Sequence, residues 1–355
     1  MTRRRPLAAI AAALLSLSAA AAWAEDFFTL VQEGALKDVQ AAIDGGAGVN
    51  ARDAEGKTPL MYAARYNRDP EVIALLLKAG ADEKARDSNN DNALILASKY
   101  NHMPGIIAAF LEAGASVNVQ NSDGMTPLLS ALANTQSPEV IFALVEAGAF
   151  TKAKDSRGMT PLMYAGKYDQ PPAVFTALLQ AGANANARTM DDLTPLLIAA
   201  RYSRNPAVIM ALLKAGADDK ARDSNNDTPL IVATKYNPSS DVIMALVTDG
   251  ASVKAQNSHG MTALLFAIAN HQSPELIMAL VKAGAEVNAH NSDGMTPLLF
   301  AAQNSLDSKV IITLVKAGAE VKAKDDNGES AFDLAQLNPR LEGTPALSLL
   351  EKTSD

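Results

Sequence analysis

The stretch that decides the fold is Thr58-Pro59-Leu60-Met61-Tyr62-Ala63-Ala64-Arg65-Tyr66. Its opening Thr-Pro-Leu, or a close variant, returns every 34 residues. The openings begin at Thr58, Asn92, Thr126, Thr160, Thr194, Thr228, Thr262, Thr296 and Ser330. A Gly-Ala pair keeps the same spacing, at Gly46, Gly80, Gly114, Gly148, Gly182, Gly216, Gly250, Gly284 and Gly318. Two signals with one period predict an array of stacked repeats that share one apolar core.

Each repeat has the signals of two helices. Thr58 is suited to cap a first helix, and Pro59 fits its first turn, where a missing N–H costs nothing. Asp69-Pro70 gives the same signal for a second helix. Gly80 suits the left-handed end of that helix, and the polar residues 84–91 predict a loop back to the next repeat. The predicted buried face of the second helix consists of Val72, Ile73, Leu76 and Leu77.

The repeat resembles the ankyrin repeat. The matching features are the Thr-Pro-Leu opening, the paired alanines, the apolar second helix, the Gly-Ala end and hairpin tips such as Asn121-Ser122-Asp123-Gly124. The resemblance covers residues 25–355 and implies an all-α repeat solenoid of about ten units, each a helix-turn-helix followed by a hairpin loop. Residues 25–57 are the expected N-terminal cap, 58–329 eight full repeats, and 330–355 the C-terminal cap.

Two features depart from the family pattern. The period is 34 residues, where the family has about 33, and we assign the extra residue to the turn between the two helices. Apolar residues replace the histidine that follows Thr-Pro-Leu in the family, so we expect packing in place of its hydrogen bonds. These residues are Met61, Ile95, Leu129, Met163, Leu197, Ile231, Leu265 and Leu299.

The sequence also contains a duplication that is longer than one repeat. Residues 58–91 and 194–227 agree at 26 of 34 positions, more closely than adjacent repeats do. The simplest account is a four-repeat block, 58–193, copied into 194–329. Equivalent surfaces on the two copies would suit two copies of a partner or one long partner.

Residues 1–24 predict an export signal. Three arginines at 3–5 precede an apolar run over 7–17, and Ala22-Trp23-Ala24 has the small-x-small pattern of a cleavage site. We therefore expect a periplasmic or secreted mature protein. An uncleaved N-terminal anchor is the competing interpretation, although the apolar run is short for a membrane span.

The charge and composition of the chain disfavour several classes of partner and of catalytic site. Cleavage would leave 28 basic and 39 acidic residues, a net charge of −11, which disfavours nucleic acid and anionic membranes as partners. The chain has no cysteine and four scattered histidines, and no Gly-rich phosphate loop or metal-ligand spacing is present. The many aspartates recur at each hairpin, where they are typical turn formers. The sequence therefore predicts no catalysis and no cofactor or metal.

A repeated cation–tyrosine pair at the end of the first helix is the leading candidate site. In the family, partners bind the concave side, which the hairpin tips and this helix end would form. Tyrosine and arginine are enriched at interface hot spots. The competing interpretation is that tyrosine fills space opened by the longer turn, with its hydroxyl bonded to a neighbouring repeat. The pairs are Arg65 and Tyr66, Lys99 and Tyr100, Lys167 and Tyr168, Arg201 and Tyr202, and Lys235 and Tyr236.

A second candidate is a methionine that follows the hairpin glycine. The same position holds charged residues in other repeats, so we expect it to be exposed and available as an adaptable contact surface. The alternative is that each methionine packs on the next hairpin. The four are Met125, Met159, Met261 and Met295.

These patterns favour a protein–protein interaction module that binds or scaffolds another protein in the periplasm, and we expect it to be monomeric. A secreted effector-like factor that binds a target outside the cell is the alternative. A hydrolase with acidic catalytic residues would need paired carboxylates outside the repeat phase, and the sequence contains no such pair.

Overall fold

The computed structural model describes residues 27–134, 137–304 and 307–354. In these residues the chain forms twenty helices in ten pairs, α1 to α20, and no β-structure beyond two isolated bridges. The first helices are α1 27–33, α3 Pro59–Tyr66, α5 Ala93–Tyr100, α7 Pro127–Asn134, α9 Pro161–Lys167, α11 Pro195–Tyr202, α13 Pro229–Tyr236, α15 Ala263–Ala269, α17 Pro297–Asn304 and α19 Ala331–Gln336. The second helices are α2 Leu36–Asp44, α4 Pro70–Lys78, α6 Pro104–Glu112, α8 Pro138–Glu146, α10 Pro172–Gln180, α12 Pro206–Lys214, α14 Ser240–Thr248, α16 Pro274–Lys282, α18 Ser308–Lys316 and α20 Pro345–Ser354.

The predicted helix signals are confirmed. Thr58 accepts a hydrogen bond from the Met61 amide, and Pro59 is the first residue of α3. Asp69 accepts from the Glu71 amide at the start of α4. Gly80 follows the end of α4 with φ +86°, a conformation that a residue with Cβ adopts only with strain.

The described chain forms two compact units, one ending at Pro161 and one beginning at Leu162. Within each unit, successive first helices pack side by side, as do successive second helices. Val72, Ile73 and Leu76 are fully buried, whereas Leu77, predicted for the same face, is only partly buried. The apolar residues that replace the family histidine are all at most 1% exposed. The prediction that they serve packing is confirmed.

The hairpins repeat one side-chain-to-backbone motif. Asp53 Oδ1 accepts hydrogen bonds from the amides of Glu55 and Lys57, at 2.9 and 2.8 Å. This motif closes the loop in the way that favours Asp, Asn and Thr in turns. The same bonds are made by Asp87, Asn121, Asp155, Thr189, Asp223, Asn257, Asn291 and Asp325.

Arginines tie consecutive hairpins together. Arg222 Nη1 donates to the carbonyl of Asn226 in its own hairpin, at 2.7 Å, and to that of Gln256 in the next, at 2.9 Å. Arg52, Arg86 and Arg188 make the equivalent pair of bonds. The hairpins approach so closely that a Cβ on Gly260 would lie 2.9 Å from the Asn291 Cα.

Buried asparagines hold the turn between the two helices. Asn101 Nδ2 donates to the carbonyls of Ala64 and Asn67 in the preceding repeat, at 3.1 and 2.8 Å. Asn67 and Asn237 also bond to the preceding repeat. We assign the extra residue of each repeat to this turn. The asparagine hydrogen bonds connect the turn to the preceding repeat.

The first and last units of the described chain are both helix pairs. Phe27, Val31 and Val39 of the first pair are buried. In the last pair, Ser330 and Asp333 form a capping box at the start of α19. The predicted export signal, 1–24, lies outside the described residues. No helix in the described part of the chain is long and apolar enough to cross a membrane.

Candidate protein-binding site

The five cation–tyrosine pairs lie at the C-terminal ends of α3, α5, α9, α11 and α13. Each tyrosine is the last residue of its helix or, at α9, the residue just after it, and all five are exposed because the neighbouring alanines face the core. The exposed fractions are 46% for Tyr66, 38% for Tyr100, 38% for Tyr168, 43% for Tyr202 and 42% for Tyr236. Such half-exposed rings combine an apolar contact area with an accessible hydroxyl.

In repeats 58–91 and 92–125 the pairs form a continuous stack, which we call the first ladder: Arg65, Tyr66, Lys99 and Tyr100. The Arg65 guanidinium carbon lies 4.9 Å from the centre of its own Tyr66 ring and 3.9 Å from that of Tyr100 in the next repeat. Lys99 Nζ lies 5.1 Å from the Tyr100 ring. These distances are those of cation–π contacts, which hold Arg65 between two aromatic rings.

The copied block repeats this geometry in the second ladder: Arg201, Tyr202, Lys235 and Tyr236. The Arg201 guanidinium carbon lies 5.3 Å from the Tyr202 ring and 4.0 Å from the Tyr236 ring. Lys235 Nζ lies 5.0 Å from Tyr236 and 5.2 Å from Phe266. The two ladders are extended at opposite ends: Phe266 stands where the first block has Ser130, and Tyr62, which stacks on Tyr66, stands where the second block has Ile198.

The fifth pair is arranged differently. Lys167 Nζ lies 5.5 Å from the Tyr168 ring, and Tyr168 stacks on the buried Tyr164 at 5.9 Å. Where the pair is absent, asparagine takes the tyrosine position. Asn270, for example, donates to the carbonyls of Thr234 and Lys235, both at 3.0 Å, so that it closes the end of α13.

The tyrosine hydroxyls do not anchor the repeats to one another. In residues 27–134, 137–304 and 307–354, none of the five is hydrogen-bonded to a neighbouring repeat. That part of the packing interpretation is wrong, although the rings do contact neighbouring cations. The contrast is Tyr62, whose hydroxyl donates to Asp53 at 2.7 Å, and this bond and burial raise the pKa of Tyr62 to about 12.

Buried acids behind the ladders were missed by sequence reasoning. Asp227 is fully buried and accepts hydrogen bonds from Lys235 Nζ at 3.0 Å and from Asn257 Nδ2 at 2.7 Å. Burial is the largest single effect and opposes the charge on Lys235, but the hydrogen bonds and charges of Asp227 and Tyr236 together raise the pKa of Lys235. The second ladder therefore presents one ammonium that is already paired and one guanidinium that has no ion-pair partner in the part of the chain that the structure describes.

The first block has the same acid in a different electrostatic setting. Asp91 Oδ1 accepts from Asn121 Nδ2 at 2.7 Å. Burial raises the pKa of the Asp91 carboxyl, although the bond from Asn121 opposes the shift. The signal in the sequence was that asparagine, not aspartate, opens a hairpin at 121 and 257, each time 30 residues after this acid.

The methionine candidates do not form the expected exposed surface. Met159 and Met295 are buried, each 8% exposed, and Met125 and Met261 are partly buried. The expectation that this position is exposed is wrong, because a charged residue at this position need not be exposed to solvent. The acids that occupy the position in other repeats, Asp91 and Asp227, are buried as well and are accommodated by hydrogen bonds.

A separate apolar groove lies between the second helices α16 and α18. Met278, 39% exposed, and Ile312 are among its lining residues, with Lys282, Lys309 and Lys316 beside them. Among the described side chains, no group of three or more His, Asp or Glu is placed to hold a metal ion.

Comparison with known proteins agrees with the geometry. A family model described as ankyrin repeats (3 copies) matches residues 27–121, 94–189, 167–257 and 236–325. No curated protein sequence matches the chain significantly. The overlapping matches cover most of the chain, including most of the helix pairs and hairpins described above. The chain therefore belongs to the ankyrin-repeat family.

Proposed function

We propose that this ankyrin-repeat protein binds another protein through its cation–tyrosine ladders and carries out no catalysis. The observation that carries the proposal is the exposure of Tyr66, Tyr100, Tyr202 and Tyr236 beside stacked arginines. Aromatic rings held in place by cations lose little conformational freedom on binding, which favours their use as contact residues. Ankyrin repeats are protein-interaction modules, and the family is typically non-catalytic.

The duplication supports two binding surfaces per chain. The contacts of Arg65 to its two rings and those of Arg201 to its two rings agree within about half an ångström. Conservation of geometry in the copied block favours one kind of partner segment at both ladders. Two copies of a partner, or one partner with two such segments, would satisfy both surfaces.

We further propose that the mature protein acts in the periplasm. The basic, apolar and small-x-small pattern of residues 1–24 supports export. A secreted factor that binds a target outside the cell is the second candidate, supported by the same pattern. Fractionation of the native organism separates the two: the periplasmic proposal expects the mature chain in the periplasmic fraction, whereas its accumulation in the medium would favour the second.

Capture with a C-terminal tag from crosslinked periplasm, followed by mass spectrometry, tests the binding role. We expect one enriched partner with the wild type and its loss when the four ladder tyrosines are replaced by alanine. The matched control is Met210→Ala, which should retain the partner. Met210 is 44% exposed and lies on α12, away from the ladders. Equal capture by wild type and tyrosine variant would refute the ladders as the binding surface.

A further inference from the structure

The ladder arginines differ from the hairpin arginines in their hydrogen bonding. The hairpin arginines are Arg52, Arg86, Arg188 and Arg222. In each of them Nη1 donates hydrogen bonds to two backbone carbonyls. Arg65 and Arg201, in contrast, make no hydrogen bond or ion pair in the described part of the chain. Their guanidinium groups are nevertheless held in place by two rings each.

Because the rings hold each guanidinium group in place, the N–H donors at its edge are already oriented before a ligand binds. Arginine stacks on an aromatic ring with the face of its planar guanidinium, and its five N–H donors lie in the plane, at the edge. Arg65 is partly exposed and Arg201 is exposed, so the donors are open to a ligand. A fixed fork of this kind matches a planar anion that accepts two parallel hydrogen bonds.

The charge near the Arg201 fork favours a ligand group with a single negative charge. In the second ladder, Lys235 is neutralised by Asp227 at 3.0 Å, which leaves Arg201 as the cation of this ladder that has no ion-pair partner among the described residues. In the first ladder, buried Asp91 lies close enough for the charge of Lys99 to lower its pKa, against the larger effect of burial. The single guanidinium of the second ladder fits a carboxylate better than a dianionic phosphate, and the matching ring contacts of Arg65 extend this expectation to the first ladder.

We propose that Arg65 and Arg201 each bind one carboxylate of the partner through two parallel N–H···O bonds, so that the chain carries two equivalent carboxylate-recognition sites. This inference rests on the proposed binding function and names the chemistry that its partner presents. The carboxylate can come from an acidic side chain or from the end of the partner chain. The ring hydroxyls beside each fork offer further donors to the same segment.

The test uses the mature protein labelled with ¹⁵N-arginine, in which the Nε–Hε signals report each guanidinium. Arg65→Lys and Arg201→Lys assign the two ladder signals. Three probes are titrated: an end-blocked Ala-Glu repeat peptide, the same peptide with glutamine for glutamate, and an N-blocked alanine peptide with a free C-terminal carboxylate. The signals of Arg68 and Arg204, exposed in the turns after α3 and α11, are the controls.

We expect the Arg65 and Arg201 signals to shift with a carboxylate peptide and not with the glutamine peptide, while Arg68 and Arg204 shift little. A response to the glutamate peptide alone assigns a side-chain carboxylate, and a response to the third peptide alone assigns a chain terminus. Equal shifts at Arg68 and Arg204, or an equal effect of the glutamine peptide, would overturn the proposal.

Binding of the captured partner separates this inference from the proposed function. Arg65→Lys with Arg201→Lys keeps both charges but removes both forks, and we expect affinity to fall by about tenfold. If the double lysine variant binds the partner as tightly as the wild type while the tyrosine variant does not, the carboxylate inference is wrong and the ladder function stands. If neither variant changes binding, both are wrong.

Discussion

At the scale of single residues, buried hydrogen-bonded acids explain why the hairpins at positions 121 and 257 open with asparagine. Hairpins open with aspartate at five positions and with asparagine at 121, 257 and 291. At 121 and 257 the amide nitrogen donates to a buried acid of the preceding hairpin, Asp91 or Asp227, at 2.7 Å. An aspartate there would place two carboxylates in contact, so the amide is needed to satisfy the acid.

Asn121→Asp tests this pairing. We expect it to lower the free energy of unfolding by about 2 kcal/mol at pH 7, since a hydrogen bond is replaced by a like-charge contact in a buried site. The exchange Asp91→Asn with Asn121→Asp restores one acid and one amide and should recover most of the loss. Urea unfolding of the wild type and the two variants measures this, and a double variant as unstable as Asn121→Asp would contradict it.

Asp91 should make the stability of the protein depend on pH. The folded-state pKa of Asp91 is raised above its unfolded value, so Asp91 lowers stability as the pH rises through the interval between the two. Asp91→Asn removes this loss, and its stability relative to the wild type should increase from pH 3 to pH 7. Thermal unfolding across this range provides the measurement, and a pH-independent difference would count against the burial of charge at Asp91.

Asp227→Asn is the contrasting change at the equivalent position. It leaves the ammonium of Lys235 without its carboxylate, so we expect a loss of about 1–3 kcal/mol at pH 7. The raised pKa of Lys235 means that this contribution is present at neutral pH and is lost only as the pH rises through the folded pKa, above 10.5. A variant as stable as the wild type at pH 7 would show that the ion pair contributes nothing.

At the scale of helices and turns, the connection between the two helices of a repeat also joins neighbouring repeats. Asn101 donates to two carbonyls of the previous repeat and accepts from the Met103 amide. Removal of its side chain would leave buried carbonyls without donors. The turn therefore contributes to stacking as well as to chain reversal.

Asn101→Ala should lower the free energy of unfolding by about 2–3 kcal/mol, because buried polar groups lose their partners. The matched control is Asn134→Ala. Asn134 ends the first helix of the following repeat, and its side chain donates to the carbonyl of Ser130 in its own helix. Chemical unfolding should show a loss near zero for Asn134→Ala, and equal losses in the two variants would refute the stacking role of the turn.

The helix pairs were predictable because their signals are local. Thr58, Pro59 and Gly80 act within a few residues, so cap, first turn and helix end could be read from sequence. The contacts of Asn101, Asp91 and Arg65 each join residues that lie 30 to 37 positions apart. Their partners could be found only once the repeats were stacked.

The methionine prediction failed for a related reason. Charged residues at a repeated position suggest exposure, but Asp91 and Asp227 at this position are buried and hydrogen-bonded. The tyrosine prediction identified the exposed residues, because the periodic alanines before each tyrosine fix which side of the helix faces the core. The stacking of Arg65 on Tyr100 depends on the next repeat and was not visible in the sequence.

At the scale of the whole molecule, each repeat is stabilised mainly by its neighbours, so a weakened unit should interrupt cooperativity. Gly182 has φ +86°, and a Cβ added to it would meet no atom within 4 Å, so a substitution there is penalised by backbone conformation rather than by a clash. Gly182→Val should split thermal unfolding into two transitions. Gly182→Asn is the control, because asparagine tolerates this conformation. A single unchanged transition for the valine variant would contradict the expectation.

The central claim is that the ladders are a binding surface rather than packing, and one comparison tests it most directly. Partner affinity, far-ultraviolet circular dichroism and melting temperature are measured for the wild type and for the variant with Tyr66, Tyr100, Tyr202 and Tyr236 replaced by alanine. We predict that binding is lost while helicity is kept and the melting temperature changes little. Loss of folding would show that the tyrosines are packing residues, and unchanged affinity in a folded variant would place the binding surface elsewhere.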